Sequence, residues 1–407
     1  MGRRVKQPVE KSRAFRRAKA FAYLEDQDRY LTQRQAPNLN FGFIGCGMMG
    51  LEHMRNAHLT GSANVSGIYD PNPTSTRHAL EVLAHMSIPT PTSYRSLNEA
   101  CADPKTDALI IATPNFTHLE VMQVAAKTNK AIFLEKPIAT TVSDAIEVCR
   151  LAQNHKNIVR VGLQYRYKAI YAEALAEVFD RHTIGEVSSV NMLEHRFPFL
   201  DKVEQWNKFN VKTGGTLVEK CCHYFDLMNL FAGGNPELVF ATGSQATNFK
   251  EFNYANKSAD GLDQAQVVVN YQNGVIGGFS LCMFVPGSHE ELIVCGDVGR
   301  VRASERAELG DKNENLLEVW VGEGGASRVT VPKYPSYIES AGHHGSTFFE
   351  HLAFAEDLSS AVSDGPSLEA ALLSALVGFA AQASIEEKAA IEIADLLPDD
   401  FDMSTFS

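Results

Sequence analysis

Residues 41–50 read Phe-Gly-Phe-Ile-Gly-Cys-Gly-Met-Met-Gly, a short apolar run followed by three spaced glycines. The run 41–44 predicts a buried strand, and the residues after the glycines predict a helix. Gly45 allows a tight turn, Gly47 lets the backbone approach a pyrophosphate, and Gly50 lets the helix pack closely on the strand. The free N–H groups at the start of that helix would face the phosphates of a dinucleotide.

An acidic residue follows the second predicted strand, 64–69. It is Asp70, twenty residues after Gly50. An acid at this place hydrogen-bonds the adenine ribose hydroxyls and repels a 2′-phosphate. The pattern therefore favours NAD, and Arg77 lies close enough to leave NADP open as a second cofactor.

Short apolar runs alternate with helical stretches over residues 40–165, which predicts a Rossmann domain, an α/β doubly wound parallel sheet. Longer strand-like runs follow one another over 166–395, and Asn273-Gly274 between two of them is a hairpin signal. We expect a C-terminal α+β domain there, with an open, mainly antiparallel sheet. Its last helix is expected to return near the Rossmann domain.

The charge of the chain is unevenly distributed. The whole sequence carries −12, which argues against nucleic-acid binding. Residues 1–39 hold ten Lys and Arg against four acids, which is +6, so the remainder carries −18. We interpret 1–39 as a basic extension, helical between about 10 and 35, whose role the sequence leaves open. No stretch approaches the ~18 apolar residues of a membrane helix, and seven cysteines without framework spacing predict reduced thiols in a cytoplasmic protein.

Two further motifs lie at predicted strand ends, where open parallel sheets bind ligands. Thr113-Pro114-Asn115 ends the third strand and either faces the cofactor or caps a helix; His118 behind it is interpreted as a surface residue. Glu135-Lys136-Pro137 ends the fourth strand. The Glu135 carboxylate can accept from ribose hydroxyls, and the Lys136 ammonium can hold a substrate oxygen or take part in proton transfer.

A fourth motif combines an imidazole with carboxylates. Glu219, His223 and Asp226 recur at a spacing of four and three residues, which predicts one face of a single helix. A histidine beside a carboxylate is the usual arrangement of a general acid or base near neutral pH. No second ligand cluster accompanies the histidine, so no metal site is predicted.

These motifs, in this order, resemble the Gfo/Idh/MocA family of oxidoreductases over almost all of residues 40–395. Gly342-His343-His344-Gly345 and Gly378-Phe379-Ala380-Ala381-Gln382 look like the closing segments of that family. The resemblance implies an active site between the two domains and a homodimer or homotetramer formed through the open sheet. It also implies that His223 removes the hydroxyl proton while hydride leaves the same carbon for NAD, that Lys136 holds the oxygen, and that Glu219 orients the imidazole.

The sequence departs from the family pattern around the histidine. Glu219 stands where the family usually has Asp, and Lys220-Cys221-Cys222 replace small residues. Lys220 is either a second oxygen-binding group or a solvent-exposed side chain. The predicted cofactor-binding residues are Gly45, Cys46, Gly47, Met48, Met49, Gly50, Asp70, Thr113, Pro114, Asn115, Glu135 and Lys136. The predicted substrate contacts are Lys136, Tyr165, Arg166, His223 and His343, with His195, Arg196, Trp206 and His344 as further candidates.

The sequence therefore predicts an NAD(P)-dependent oxidoreductase that transfers a hydride between nicotinamide and a secondary alcohol or ketone of a sugar, cyclitol or sugar derivative. Two alternatives stay open. One is a glycoside hydrolase of the same fold that oxidises a sugar transiently with tightly held NAD. The other is a non-catalytic protein that senses NAD or a sugar. The identity of the substrate and the direction of the reaction cannot be read from the sequence.

Overall fold

A computed structural model describes residues 21–24, 26, 37–198, 201–307, 314–324, 328–359 and 365–401. The helix expected between about 10 and 35 lies almost entirely outside these residues. The described part of the extension packs on the C-terminal part of the chain: Ala22 is fully buried, and its carbonyl accepts the N–H of Lys333 at 2.7 Å. Asp26 accepts hydrogen bonds from the backbone N–H and the hydroxyl of Ser336.

The first sheet has six parallel strands in the order β3-β2-β1-β4-β5-β6. They are β1 (Leu39–Ile44), β2 (Ala63–Tyr69), β3 (Thr92–Ser93), β4 (Ala108–Ile111), β5 (Ala131–Leu134) and β6 (Val159–Val161). Every residue of β4 and β5 is buried, as expected of strands covered on both faces. The predicted doubly wound sheet is confirmed. Its order reverses between β1 and β4, which is the place where such sheets bind ligands.

Helices connect these strands: α1 (Met48–Thr60), α2 (Pro73–His85), α3 (Leu97–Ala102), α4 (His118–Ala125) and α5 (Val142–Gln153). Side chains cap the starts of α2 and α5, since Asn72 accepts the N–H of Thr74 and Thr141 accepts that of Asp144. Helix α1 has only Gly47 at its N-cap and no side-chain hydrogen bond there. Its first N–H groups are therefore left for a ligand.

The second sheet has nine strands in the order β16-β15-β14-β13-β7-β12-β11-β8-β17, and a separate hairpin pairs β9 with β10. Only β7 and β12 pair in parallel among the neighbouring strands of the described sheet, so the predicted mainly antiparallel sheet is confirmed. The predicted hairpin at Asn273-Gly274 joins β11 to β12, with Gly274 at φ 84°. The strands are β7 (Val187–His195), β8 (Pro236–Ser244), β9 (Asn253–Tyr254), β10 (Lys257–Ser258), β11 (Gln264–Tyr271), β12 (Ile276–Cys282), β13 (Ser288–Gly296), β14 (Gly299–Ala307), β15 (Glu314–Val321), β16 (Arg328–Thr330) and β17 (Ile391–Glu392).

The remaining helices cover the inner face of this sheet and join it to the first. They are α6 (Ala169–Leu175, continuing as a π-helix over Ala176–Asp180), α7 (Asn210–Thr213), α8 (Thr216–Glu219), α9 (Cys222–Ala232), α10 (Ser336–Glu339), α11 (Ser346–Ser359) and α12 (Leu368–Glu387). Helix α12 is long and apolar enough to cross a membrane by length and composition, but it is mostly buried inside the protein. It packs on β8 and α9 and also on α5, as a core helix does.

One continuous apolar core connects the two sheets. Ile111 and Leu134 from the parallel sheet belong to the same buried cluster as Phe225 of α9 and Leu292 of β13. Burial of these side chains stabilises the arrangement by roughly 1.5–3 kcal/mol each. The two sheets are therefore held in a fixed relation, and the cleft between them is a defined space.

Candidate active site

The glycine loop between β1 and α1 has the geometry that the sequence predicts. Gly45 has φ +98°, and a Cβ atom on it would lie 2.5 Å from the carbonyl oxygen of Ala112. A Cβ on Gly50 would lie 2.1 Å from the carbonyl oxygen of Gly45, so only glycine permits this helix–strand contact. A Cβ on Gly47 would meet no atom within 4 Å. The open space above Gly47 and the uncapped start of α1 fit a bound pyrophosphate.

Asp70 lies beside this loop at the end of β2. One carboxylate oxygen accepts the backbone N–H of Cys46 at 2.8 Å, and the other accepts that of Asn72 at 2.8 Å. Burial and the neighbouring Asp70 raise the pKa of the Cys46 thiol to about 12, so that thiol is unreactive. Met48 is exposed and Met49 half-buried at the start of α1. Asp70 thus holds the glycine loop, and its predicted contact with a ribose requires only its remaining lone pairs.

The segment Thr113-Pro114-Asn115 begins a short 3₁₀ turn at the end of β4. The Thr117 hydroxyl donates to Thr113 Oγ1 at 2.8 Å, and the Asn115 amide reaches the carbonyl of Thr213 at 3.4 Å. The interpretation of His118 as a surface residue is wrong, because its side chain is fully buried. Its Nδ1 lies 2.8 Å from the carbonyl oxygen of Pro137 and its Nε2 lies 3.0 Å from that of Thr113. His118 therefore ties together the two loops at the ends of β4 and β5.

The Glu135 carboxylate points into the protein interior. Its Oε1 lies 2.7 Å from Nε2 of His53 on α1, and its Oε2 accepts the backbone N–H of Lys136 at 3.0 Å. Although burial raises the pKa of Glu135, the His53 imidazole and the Lys136 ammonium hold it below its ordinary value. Glu135 thus links α1 to the backbone of Lys136, and its contact with a ribose stays a prediction.

A second buried acid, Glu350 of α11, lies behind this pair. Glu350, His53 and Glu135 offer ligand atoms within 4.8 Å of one another, close enough to hold a metal ion, although the sequence predicts no metal site. Neither oxygen of Glu350 has a hydrogen-bond partner among the described residues. Burial and the neighbouring Glu135 and Glu52 raise the pKa of Glu350 well above its ordinary value. Glu350 therefore favours its neutral form in this buried position.

The histidine motif differs from its predicted form. The helix is interrupted at Lys220-Cys221, so Glu219 ends α8 while His223 lies in α9. Glu219 Oε1 pairs with Lys202 Nζ at 3.3 Å rather than with the imidazole. The prediction that Glu219 orients His223 is therefore wrong for this structure, since the longer side chain reaches a different partner. Asp226 forms a two-pronged ion pair with Arg166, at 2.6 and 2.7 Å.

The imidazole of His223 is held by stacking. Its ring lies 4.2 Å from the ring of Tyr165, centroid to centroid, at an angle of 5°. His223 is buried, and its Nδ1 has no hydrogen-bond partner among the described residues. Burial lowers the pKa of His223 well below its ordinary value, and the nearby ammonium groups of Lys136 and Lys220 lower it further. His223 is therefore neutral at neutral pH and able to accept a proton.

Two lysines approach this histidine from different parts of the chain. Lys136 Nζ donates to the backbone carbonyl of Glu219 at 3.1 Å, one turn before His223. Lys220 Nζ lies 3.3 Å from the Tyr165 hydroxyl and 3.5 Å from Glu194 Oε1. The Lys220 side chain is 11% exposed, which excludes the solvent-facing alternative. Although burial lowers the pKa of Lys220, Glu194 holds it above its ordinary value, so the ammonium stays charged.

A cleft of about 450 Å³ opens beside Tyr165 and Lys220. It is lined by Glu52, Tyr165, Lys168, Glu194, His195, Arg196, Phe197, Lys220, Ser288, Glu290, Glu305, His343 and His344. His343, which the sequence places at the rim, lines the cleft with its Nδ1 2.7 Å from Glu52 Oε1. Four predicted substrate contacts or candidates are not part of this lining: Lys136, Arg166, Trp206 and His223. Arg166 is held by Asp226, Trp206 is buried beneath the ammonium of Lys202, and His223 is buried behind Tyr165.

Several cleft residues were not predicted from the sequence. Glu194 and Glu290 lie in strands at positions that face the core, where an apolar side chain is expected. A charge that breaks the alternation of a strand is a signal that could have identified both.

Comparisons with known proteins agree with the fold. Residues 39–163 match the family model described as "Oxidoreductase family, NAD-binding Rossmann fold", and residues 177–393 match "Oxidoreductase family, C-terminal alpha/beta domain", both of the Gfo/Idh/MocA type. The chain is 25% identical over 371 residues to the myo-inositol 2-dehydrogenase of Thermotoga maritima, covering 88% of this chain and all of that protein. It is 28% identical over 215 residues to the 2,7-anhydro-N-acetylneuraminate hydratase of Escherichia coli, covering 50% of this chain and 52% of that protein.

Solved structures share the fold. Levoglucosan dehydrogenase in complex with NADH superposes with a TM-score of 0.73 at 21% identity, covering 87% of this chain and 99% of that one. An NAD-binding oxidoreductase from Klebsiella pneumoniae gives a TM-score of 0.70 at 19% identity, with 87% and 99% covered. Since both parts of the chain match the same family, the protein belongs to the Gfo/Idh/MocA oxidoreductases and is an NAD-binding dehydrogenase that acts on CH–OH groups.

Proposed function

We propose that this protein interconverts a secondary alcohol and a ketone on a sugar, a cyclitol or a sugar derivative. The observation that carries the proposal is the approach of Lys136, from the end of β5, to the backbone one turn before the neutral His223. A cation and a proton acceptor thus approach each other from the two parts of the chain. When bound at the glycine loop, NAD supplies the acceptor for the hydride.

The roles of the side chains follow from their chemistry. His223 accepts the proton of the substrate hydroxyl, because its imidazole is neutral and Tyr165 fixes the plane of its ring. Lys136 holds the substrate oxygen and stabilises the negative charge that develops on it. Asp70 holds the glycine loop in the shape that a pyrophosphate needs.

Two substitutions test these roles. His223→Ala and Lys136→Ala should each leave NAD binding intact, while turnover falls by about 10²–10⁴-fold, the usual contribution of a general acid or base. Binding is measured by calorimetry with NAD, and turnover by NADH production over a panel of cyclitols, aldoses, uronates and amino sugars. His78→Ala and Lys156→Ala, at exposed positions, are the matched controls. Turnover that survives both active-site changes would show that the roles are wrong.

Assays of glycoside cleavage and of NAD binding separate the alternatives. Cleavage of a glycoside without added NAD and without net NADH would favour transient oxidation, a possibility raised by the hydratase among the relatives. NAD binding without turnover of any substrate would favour a sensor. Retention of both Lys136 and His223 supports the dehydrogenase.

We also propose that copies of this chain associate through the outer face of the nine-stranded sheet. That face carries exposed apolar side chains on adjacent strands: Phe240 of β8, Val268 of β11 and Ile276 of β12. Phe240 and Val268 are directly paired across their strands, so they form a continuous patch. Exposed apolar patches of this kind favour association.

A further inference from the structure

Three strands of the second sheet break the alternation that buries their inner face. On β7, β13 and β14 the residues that face the core are apolar until the strands reach the cleft, where each has a glutamate. The apolar residues are Val190 and Met192, Leu292 and Val294, and Val301 and Ala303, and the glutamates are Glu194, Glu290 and Glu305. A buried apolar side chain at these places would serve the fold better. The three glutamates therefore require an explanation outside folding.

The three glutamates form one row. Glu290 is paired in register with Glu194 on one neighbouring strand and with Glu305 on the other. Glu194 and Glu305 are more than nine-tenths buried, and all three side chains line the cleft. Like charges directly opposite each other on neighbouring strands are destabilising. We call Glu194, Glu290 and Glu305 the glutamate row.

Cations compensate the row almost completely. Lys168 Nζ lies 2.7 Å from Glu290 Oε2 and 3.0 Å from Glu305 Oε2. Arg196 Nη1 lies 3.2 Å from Glu194 Oε1, which Lys220 also approaches. Although burial raises the pKa of Glu290, Lys168 and Lys220 lower it to about 2, so this carboxylate stays ionised.

The charges of the whole lining leave an excess of acid. Glu52 joins the glutamate row, which gives four carboxylates against the three cations Lys168, Arg196 and Lys220. The carboxylates of the lining therefore outnumber its lysines and arginine by one, and each of these three cations already has a carboxylate partner. Oε2 of Glu194 is buried and has no hydrogen-bond partner among the described residues.

We infer that the cleft selects a polyhydroxylated substrate without a carboxylate or phosphate group, because the glutamate row accepts hydrogen bonds from hydroxyl or amino groups and repels anions. This inference rests on the proposed function and narrows its substrate class. The ammonium of Lys136 does not offset this repulsion, since it holds the oxygen at the reacting carbon. An anionic group elsewhere on the ring would meet the glutamate row, where no cation is free among the described lining residues.

Matched sugars test the inference on the unmodified protein. With NAD present, kcat/KM for glucose and glucosamine should exceed that for glucuronate and glucose 6-phosphate by at least about tenfold, the effect of roughly 1.4 kcal/mol of unfavourable interaction. Calorimetric titration of the NADH-loaded protein with the same four sugars should give the same ranking for binding. A preference for either anionic sugar in turnover or in binding overturns the inference, while the proposed dehydrogenase stands.

A substitution tests the glutamate row itself. Glu194→Gln should raise the ratio of anionic to neutral sugar in kcat/KM several-fold, because Lys220 and Arg196 lose a compensating charge. The ratio is internal to each variant and is therefore insensitive to a general loss of activity. Glu318→Gln, which removes a carboxylate paired with Arg302 on the outer face, should leave the ratio unchanged. An unchanged ratio in Glu194→Gln counts against the inference. Absence of both turnover and binding with every sugar overturns the proposed function, and the inference with it.

Discussion

At the scale of single residues, His223 is governed by its charged neighbours rather than by a carboxylate. Glu219 is drawn to Lys202, and Asp226 to Arg166, so neither acid contacts the imidazole. Burial and the cations Lys136 and Lys220 lower the pKa of His223. A low pKa keeps the imidazole deprotonated in weakly acidic solution, but it also makes the imidazole a weaker base.

The neighbour that departs most from the family pattern, Lys220, offers a test of this account. Lys220→Met removes a positive charge beside His223, so the pKa of the imidazole should rise. Alcohol oxidation needs the neutral ring, and activity is lost as the pH falls through that pKa. The acid limb of kcat/KM should therefore move to higher pH in the variant, measured between about pH 5 and 8. Lys156→Met at the exposed surface should leave the profile in place. An unmoved acid limb in Lys220→Met would contradict the proton-accepting role of His223.

The sequence identifies candidate residues for the chemistry but not the side chains that surround them. Lys136 and His223 were identified from motifs, because strand ends and polar helix faces leave a local pattern. The partner of Glu219 could not be identified from the sequence. Lys202 lies too far from Glu219 along the chain for helix or strand spacing to relate the two residues, and the side chain of glutamate is one methylene longer than that of aspartate. His118 was misjudged for a similar reason: its two carbonyl partners belong to two different strand ends.

At the scale of elements, the turn between β1 and α1 contains two glycines with different purposes, one required by packing and one available for cofactor binding. Gly50 is required by packing, since a Cβ there would collide with the Gly45 carbonyl. Gly47 has φ −76°, which any residue can adopt, and empty space around its Cβ position. The fold alone gives no reason for glycine at position 47.

Two alanine substitutions in this turn should therefore behave differently. Gly47→Ala should keep the unfolding free energy within about 1 kcal/mol of the original protein and raise the Kd for NAD by roughly tenfold or more, because the methyl group occupies the approach of the pyrophosphate. Gly50→Ala should lower the unfolding free energy by about 1–3 kcal/mol, as overpacking does. Urea unfolding and calorimetry with NAD measure the two effects. Equal loss of stability in both variants would mean that the space above Gly47 is not a ligand site.

Elements with strong periodicity were predicted well from the sequence. The sequence predicts a strand over 131–134 and a helix over 142–154, and β5 and α5 agree with these ranges to within a residue. A fully apolar run and a capped amphipathic helix are local signals. Strand β14 was not predicted, since Arg300, Arg302 and Ser304 occupy its outer face and only Val301 and Ala303 signal burial. The interruption of the helix before His223 was also missed, since no glycine or proline lies between Glu219 and His223.

At the scale of the whole molecule, the two sheets differ in what covers them. The parallel sheet has helices on both faces, whereas the nine-stranded sheet has helices on its inner face and an outer face that carries Phe240, Val268 and Ile276. The outer face also bears charged pairs such as Arg302 with Glu291, 2.6 Å apart, toward the other end of the sheet. An apolar patch beside polar pairs is typical of an interface with a hydrophobic centre and a polar rim.

The proposed association through this face predicts the effect of a charge at its centre. Val268→Lys places an ammonium in the patch beside Phe240, and burying that unpaired charge against a second copy would cost several kcal/mol. The variant should therefore shift from dimer or tetramer to monomer in sedimentation velocity, with its unfolding free energy nearly unchanged because Val268 is half exposed in the single chain. Gln266→Lys, two residues earlier on the same face of β11, places the same charge at a polar position and serves as the control. Since the glycine loop and Asp70 belong to one chain and contact each other, NAD binding should survive in the monomer. An original protein that sediments as a monomer, or a Val268→Lys variant that keeps the mass of the original oligomer, would exclude this face as the interface.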